Sequence, residues 1–150
     1  MATHYKGTRD EIRALNAFIN VNRAADSLGG RLSGSQARAG LPGSQFGALE
    51  ALYHLGPLNQ RELGEKLLRS GGNITLVVDN LEKRGLVRRE RQTDDRRCIR
   101  VSLTDEGRRL IARIFPRHVA AILTEMSILT PAEQETLARL CRKLGKQERD

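Results

Sequence analysis

The chain has 150 residues, enough for one compact domain, and its 26 Lys and Arg residues against 18 Asp and Glu residues give a formal net charge of +8. A small protein this basic is expected to meet polyanions, of which nucleic acid is the commonest, although a merely basic surface would have the same composition. Three Phe, two Tyr and no Trp provide too few aromatic platforms for single-strand or RNA recognition by base stacking.

The two cysteines, Cys98 and Cys141, are too far apart in the sequence for a zinc motif or a redox pair. Two thiols also give no sign of an oxidising compartment. Residues 1–9 lack the apolar core of a signal peptide, and no apolar run approaches the length of a membrane span. The three histidines are scattered, without carboxylates at ligand spacing. These features predict a cytoplasmic protein with no membrane contact, metal or cofactor.

The first predicted helix begins at Thr8, which forms a capping-box pattern with Glu11. Apolar residues then recur at helical spacing and predict one continuous stripe: Leu15, Phe18, Val21, Ala25 and Leu28. Residues 29–43 are rich in Gly and Ser, which predicts a flexible connection after this helix.

A second helix is predicted from Ser44, and it should stop at Gly56 because the proline that follows disfavours helical geometry in the residue before it. Asn59 and Glu62 form the next capping box, which predicts a short third helix that ends near Leu68.

The fourth predicted helix has Ser70 as its N-cap and runs to about Arg84, where Gly85 permits a left-handed stop. On a helical wheel, four apolar side chains cluster on the face that should enter the core: Ile74, Val77, Val78 and Leu81. Leu76 lies near the middle of the opposite face. A leucine is unusual there on a solvated helix, although single exposed apolar groups are common on protein surfaces.

After this helix the hydrophobic period changes from helical to alternating, which predicts a two-stranded hairpin with one buried face. Its strands are residues 87–91 and residues 98–103, and a polar, charged turn at residues 92–97 joins them. Two helices complete the chain. One begins at Thr104, and the other begins at Thr130, where a cap, a proline and a capping-box glutamate follow in order.

The order of short helix, tight turn, helix and charged hairpin over residues 59–104 is typical of a winged helix-turn-helix, whose second helix enters the major groove of DNA. Asn73 and Thr75 carry groups that can hydrogen-bond base edges, and Leu76 could meet thymine methyl groups. Gly72 would let the backbone approach closely. The alternative is that this face contacts only solvent.

The segment from Lys83 to Arg100 contains eight basic and three acidic residues, a local net charge of +5. Arginine suits a DNA-binding hairpin because its planar guanidinium pairs with phosphate and fits a narrow, strongly negative minor groove. The alternative is a solvated hairpin whose charge protects it from aggregation.

Four motifs closely resemble those of the multiple-antibiotic-resistance regulator (MarR) family. They are Leu-Leu-Arg-Ser-Gly-Gly-Asn-Ile-Thr at 67–75, Leu-Glu-Lys-Arg-Gly-Leu-Val at 81–87, Asp-Arg-Arg at 95–97 and Leu-Thr-Asp-Glu-Gly at 103–107. The resemblance extends over nearly the whole chain, and the Asp-x-Arg wing followed by Leu-Thr-x-x-Gly makes it specific. It implies a mainly α fold with a small β-wing, in which a winged helix-turn-helix domain carries N- and C-terminal dimerisation helices.

The resemblance implies a single domain over residues 1–150, with a DNA-binding lobe at 44–104 and dimerisation helices at 8–32 and 105–146. It implies a homodimer on palindromic double-stranded operators, with half-sites about one helical turn apart. The apolar surface of the terminal helices agrees with dimerisation. The implied activity is transcriptional regulation, more often repression than activation, and not catalysis. The sequence also lacks a nucleophile elbow, a phosphate loop and a metal-hydrolase motif.

The resemblance further implies that Arg97 enters the minor groove and that Asp95 orients it by a salt bridge. The expected DNA-contacting residues span the fourth helix and the hairpin: Ser70, Gly72, Asn73, Thr75, Leu76, Lys83, Arg88, Asp95, Arg96 and Arg97. Together they define the predicted DNA-binding face.

Members of the MarR family, which the sequence resembles, usually respond to a small molecule or an oxidant. Tyr53, His54 and Phe115 could line a small-molecule pocket between the DNA-binding lobe and the dimerisation helices, although each could equally be a core or boundary residue. Cys98 lies among arginines that could activate its thiol, so an oxidation-responsive regulator is an alternative. A protein-interaction module whose basic hairpin binds an acidic partner is another.

Overall fold

The computed structural model describes residues 3–34, 39–67, 71–94 and 97–147. In these ranges the helices and strands follow in the order α1 (Arg9–Gly34), α2 (Gly43–Leu55), β1 (Leu58–Asn59), α3 (Gln60–Lys66), α4 (Gly71–Lys83), β2 (Val87–Arg91), β3 (Ile99–Leu103), α5 (Asp105–Met126) and α6 (Pro131–Lys146). The predicted mainly α architecture with a small β-sheet is confirmed. Within the described ranges, none of the helices is both long and apolar enough to cross a membrane.

Capping boxes set where three of these helices begin. The Asn59 Oδ1 accepts a hydrogen bond from the Glu62 backbone N at 2.7 Å, and the Glu62 carboxylate accepts one from the Asn59 backbone N at 3.1 Å. The same reciprocal pair begins two other helices: Thr8 with Glu11 for α1, and Thr130 with Glu133 for α6. These predicted helix starts are confirmed, because each depends only on residues three positions apart.

The core lies where α2, α3, α4, β3 and α5 meet. Its largest fully buried side chains come from all five elements: Leu49, Leu52, Leu63, Val78, Leu81, Val101, Ile111 and Ile114. The four residues predicted to form the inner face of α4 are all buried. Since burying one such side chain contributes about 1.5–3 kcal/mol, this face anchors α4 and leaves its opposite face to solvent.

The sheet has three antiparallel strands in the order β1-β3-β2. In the hairpin of β2 and β3, which we call the wing, Arg89 pairs with Val101 and Glu90 with Arg100. On the other side of β3, Leu58 of β1 pairs with Val101. The predicted hairpin is therefore confirmed, whereas β1 was missed, because a two-residue strand has no periodicity to detect and depends on its partner to form.

Helix α1 continues through the Gly/Ser-rich segment as far as Gly34, so the flexible connection predicted from residue 29 was wrong for 29–34. Leu28 and Leu32 are half-buried there, and the Arg31 Nε lies 2.7 Å from a carboxylate oxygen of Glu125 in α5. Contact with α5 therefore helps to offset the cost of about 1 kcal/mol that each glycine imposes on a helix. Residues 35–38 lie outside the described ranges.

The chain leaves α4 through a left-handed glycine, as predicted. Gly85 has a φ of 73°, and its backbone N donates to the carbonyl of Glu82 at 2.9 Å. The backbone N of Leu86 donates to the carbonyl of Leu81 at 3.0 Å. This pair of hydrogen bonds is a Schellman motif, which satisfies the last carbonyls of the helix and turns Leu86 into the core.

The start of α5 closes the base of the wing. The Thr104 hydroxyl donates to the Gly85 carbonyl oxygen at 2.6 Å and accepts a hydrogen bond from the Gly107 backbone N at 3.0 Å. The Thr104 backbone N donates to the Leu86 carbonyl at 3.1 Å. The end of α4 and the start of α5 are therefore joined at one point beneath the wing.

The terminal helices keep a large apolar surface exposed in the single chain. Its large members come from α1, α5, α6 and the turn before α6: Phe18, Val21, Val119, Ile122, Leu123, Ile128, Leu137, Leu140 and Leu144. None of the residues of α6 is buried, although its start is tied to α5 through Gln134, whose side-chain amide donates to the carbonyls of Met126 and Leu129. Large exposed apolar surfaces are uncommon on a monomer and mark interaction sites.

Candidate nucleic-acid interface

The outward face of α4 carries the residues that the sequence singled out. Asn73 and Thr75 are exposed near the start of the helix, and Leu76 exposes 60% of its surface. The buried side chains on the other face of α4 fix this orientation. The polar side chain of Thr75 and the apolar side chain of Leu76 are therefore exposed next to each other on α4.

A groove of about 710 Å³ separates α3 and α4 from the end of the wing. Asn59, Gln60 and Arg61 line it from the start of α3, Thr75 lines it from α4, and Arg97 lines it from the wing. The fold thus brings Thr75 and Arg97, two of the predicted DNA-contacting residues, to opposite sides of one groove.

Arg89 was missed by the sequence analysis, which counted it only as one of the basic residues of the hairpin. Its side chain is 20% exposed, and it crosses from β2 to α4. Its Nη1 donates to Asp79 Oδ1 at 2.5 Å and lies 3.5 Å from Glu82 Oε1. Its Nη2 donates to the backbone carbonyl of Thr75 at 3.2 Å. The wing is thereby attached along one face of α4.

Gln60 extends this network to α3. Its side-chain oxygen accepts a hydrogen bond from the Arg89 Nε at 3.2 Å, and its side-chain amide donates to the Thr75 hydroxyl at 2.9 Å. The alternation of β2, which places Arg89 on the same side as the buried Val87, is the sequence signal that could have identified Arg89 as a structural cation.

Arg88 lies on the opposite side of β2, as strand alternation requires. Its Nε is 3.4 Å from Glu90 Oε1, and both side chains are more than half exposed. Arg91 and Arg100 border the same outer groove of about 440 Å³. Because an exposed ion pair contributes at most about 1 kcal/mol, Glu90 holds Arg88 only weakly.

Several predicted contact residues lie outside the described ranges: Ser70, Asp95 and Arg96. The expected salt bridge from Asp95 to Arg97 therefore stays a prediction. Gly72 lies in the first turn of α4, and Lys83 is its exposed last residue. The predicted face thus follows the whole length of α4.

The three predicted ligand-pocket residues meet at the junction of α2 and α5. The His54 ring lies 4.6 Å from the Phe115 ring and 5.1 Å from the Tyr53 ring, measured between centroids. The His54 Nδ1 is 3.0 Å from the Glu50 carbonyl oxygen, which fixes the ring, while Tyr53 and Phe115 pack against the core. These three side chains therefore lie near one another, and their contact with a ligand stays a prediction.

Both cysteines are free thiols in this chain. Cys98 is half-buried and lines the groove beside Arg97, whereas Cys141 is exposed on α6. In the part of the chain that the structure describes, no cluster of three or more His, Cys, Asp or Glu side chains is placed to hold a metal ion.

Comparison with known proteins identifies this architecture. Residues 41–99 match the MarR family. The chain is 35% identical over 133 residues to the HTH-type transcriptional regulator YkoM of Bacillus subtilis, covering 89% of this chain and 86% of YkoM. It is 32% identical over 111 residues to the HTH-type transcriptional repressor MdtR of the same organism, covering 74% of this chain and 72% of MdtR.

A solved structure gives the same result for the fold. Sco3205, a MarR family transcriptional regulator from Streptomyces coelicolor crystallised in complex with DNA, superposes with a TM-score of 0.82 at 27% identity. The match covers 98% of this chain and 93% of Sco3205. The likeness therefore includes the terminal helices as well as the lobe between them.

Proposed function

Since the chain belongs to the MarR family of DNA-binding transcriptional regulators, we propose that it is a cytoplasmic homodimeric repressor of palindromic operators that a small molecule releases from DNA. The observation that carries this proposal is the groove bounded by Thr75 of α4 and Arg97 of the wing. Repression is supported by the likeness to MdtR, which is named a repressor.

In this proposal α4 is the recognition helix and lies in the major groove, while α3 crosses the DNA backbone. Asn73 and Thr75 hydrogen-bond base edges, and Leu76 packs on a thymine methyl group. The exposure of Leu76 supports this role, because contact with a base removes that apolar surface from water.

The wing makes the second set of contacts. Arg97 enters the adjacent minor groove, where the guanidinium meets the strong negative potential of a narrow groove. Arg88 and Lys83 contact phosphates, together with Ser70 and Arg96, and Asp95 orients Arg97. The weak hold of Glu90 on Arg88 supports this, since a phosphate can replace an exposed carboxylate at little cost.

The exposed apolar surface of α1, α5 and α6 supports a two-fold dimer. In such a dimer the two-fold axis also relates the two recognition helices. They therefore bind half-sites of opposite orientation, about one helical turn apart. A palindrome is therefore the expected operator.

The aromatic cluster of Tyr53, His54 and Phe115 supports an effector site. It lies where the DNA-binding lobe meets α5, which is the junction that a ligand must alter to change the separation of two recognition helices. A compound that releases the operator from the wild-type dimer should fail to do so from the Phe115→Leu variant, while operator affinity without the compound stays unchanged.

The proposal is tested by selecting duplexes from a random-sequence pool with the full chain. We expect the selected duplexes to share a palindrome and to bind about 10³-fold or more tightly than a scrambled duplex at physiological salt. Equal binding of selected and scrambled duplexes would contradict sequence-specific regulation and favour the protein-interaction alternative.

A further inference from the structure

The hydrogen bonds of Arg89 are directed into the protein. Each of the three nitrogens of its guanidinium donates to a protein acceptor, and these acceptors belong to α3 and α4. Its own backbone N also donates to Glu82 Oε2 at 3.2 Å. A single side chain of β2 therefore connects the wing with both helices of the helix-turn-helix.

The acceptors follow one face of the recognition helix. Thr75, Asp79 and Glu82 lie four and then three positions apart, so the guanidinium and the Arg89 backbone fix about two turns of α4 against β2. The planar fork of arginine can reach acceptors in three directions at once, whereas a lysine ammonium on its flexible stem is a point charge. The arrangement thus requires arginine and not only a positive charge.

We propose that Arg89 is a positioning residue that sets the angle between the recognition helix and the wing, and with it the operator specificity of the dimer. Thr75 and Arg97 must meet the major and the minor groove at the same time, and the Arg89 network determines their relative placement. Because contact groups need placement to within about 0.5 Å, a loosened angle weakens specific contacts more than general attraction to phosphate. The proposal rests on the DNA contacts proposed above for α4 and the wing.

The Arg89→Lys variant tests this proposal because it preserves the net charge of the lobe. The probes are a duplex selected by the wild-type chain and a scrambled duplex of the same length, each titrated over a range of salt concentrations. We expect the ratio of the two affinities to fall about tenfold, which is the size of one charge-assisted hydrogen bond. We expect the dependence on salt of the scrambled duplex to stay unchanged, because no phosphate contact is lost. Arg84→Lys, the same change at an exposed residue between α4 and β2, should leave the affinity ratio unchanged.

Gln60→Ala provides an independent test through a half-buried side chain whose loss leaves the core intact. It removes the α3 end of the network, and we expect a fall of about threefold in the same affinity ratio. If the two residues act as one unit, the double variant loses less than the product of the two single losses. This coupling would not arise if each change only lowered stability.

Three results would overturn the inference. In the first, Arg89→Lys is folded and keeps the wild-type affinity ratio. In the second, Arg89→Lys weakens both duplexes equally, which would make Arg89 a general DNA contact and not a determinant of specificity. In the third, the losses from Arg89→Lys and Gln60→Ala are independent. A wild-type chain that does not distinguish the two duplexes would instead refute the proposed function itself.

Discussion

The backbone of Gly107 packs directly against the carbonyl group of Leu86, so closely that a Cβ atom at position 107 would overlap the carbonyl oxygen. Leu86 follows the left-handed turn that ends α4, and Gly107 lies in the first turn of α5. Only glycine permits this approach. The contact fixes the start of α5 against the end of α4, so it links the winged helix-turn-helix to the helices that follow it.

Replacing Gly107 with alanine should therefore destabilise the fold. The added methyl group meets backbone atoms that cannot move aside independently, and we expect the free energy of unfolding to fall by about 3 kcal/mol. Urea unfolding at fixed protein concentration measures the change. The matched control is Gly145→Ala in α6, where a Cβ atom has no neighbour within 4 Å and alanine should stabilise the helix by about 0.5 kcal/mol. Equal effects from the two substitutions would contradict the close packing.

Leu76→Ala should change DNA selectivity without changing stability. The side chain is 60% exposed, so we expect the free energy of unfolding to stay within about 0.5 kcal/mol of wild type. Preference for the selected operator over single-base variants at the contacted position should fall by about 1–3 kcal/mol. Leu81→Ala is the control on the buried face of the same helix and should cost about 2–5 kcal/mol of stability. An unchanged base preference in Leu76→Ala would remove Leu76 from the proposed contacts.

Arg97→Ala should weaken binding to every duplex and lower its dependence on salt. A cation bound in the minor groove also displaces counterions from DNA, so each lost arginine reduces the slope of log affinity against log salt by about 0.9, which makes a change of nearly 2 for a dimer. Anisotropy titrations at several salt concentrations measure the slope. Arg139→Ala removes the same charge from an exposed position on α6 and should leave the slope at its wild-type value. The proposed role of the wing fails if both variants behave alike.

Leu140→Asp should dissociate the proposed dimer. Leu140 is 50% exposed on the apolar side of α6 in the single chain. In the proposed dimer this position is buried, and an aspartate carboxylate without a partner there would cost about 3 kcal/mol or more. We expect sedimentation experiments to give a dissociation constant at least about 100-fold higher than that of wild type. Arg139→Ala, at the neighbouring polar position, is again the control. A wild-type chain that sediments as a monomer would contradict the dimer directly.

The sequence predicted most of the lobe because the relevant forces act between near neighbours. Asn59 and Glu62 define the start of α3 across three residues, and Gly85 marks the end of α4 through its own backbone preference. The burial of Val78 and the exposure of Leu76 follow from helical periodicity in the same way. The sequence alone was therefore enough to predict which face of α4 is exposed.

Errors and omissions occurred where the deciding contact joins distant parts of the chain. The glycines at 29 and 30 predict a break, yet the ion pair between Arg31 and Glu125 and the packing of Leu32 hold α1 helical. The short strand β1 forms only because β3 is there to pair with it. Local propensity cannot report either effect, since the partner residues lie many positions away.

Around Leu86 and Gly107, the glycine that ends α4 and the capped helix start at Thr104 can both be recognised in the sequence. That Gly107 touches the Leu86 carbonyl, and that Arg89 joins the wing to both helices of the helix-turn-helix, becomes visible only in the folded chain. Caps and amphipathic faces are determined within a few residues. The distance between two backbones, and the acceptors within reach of one guanidinium, are determined only when the whole core has packed.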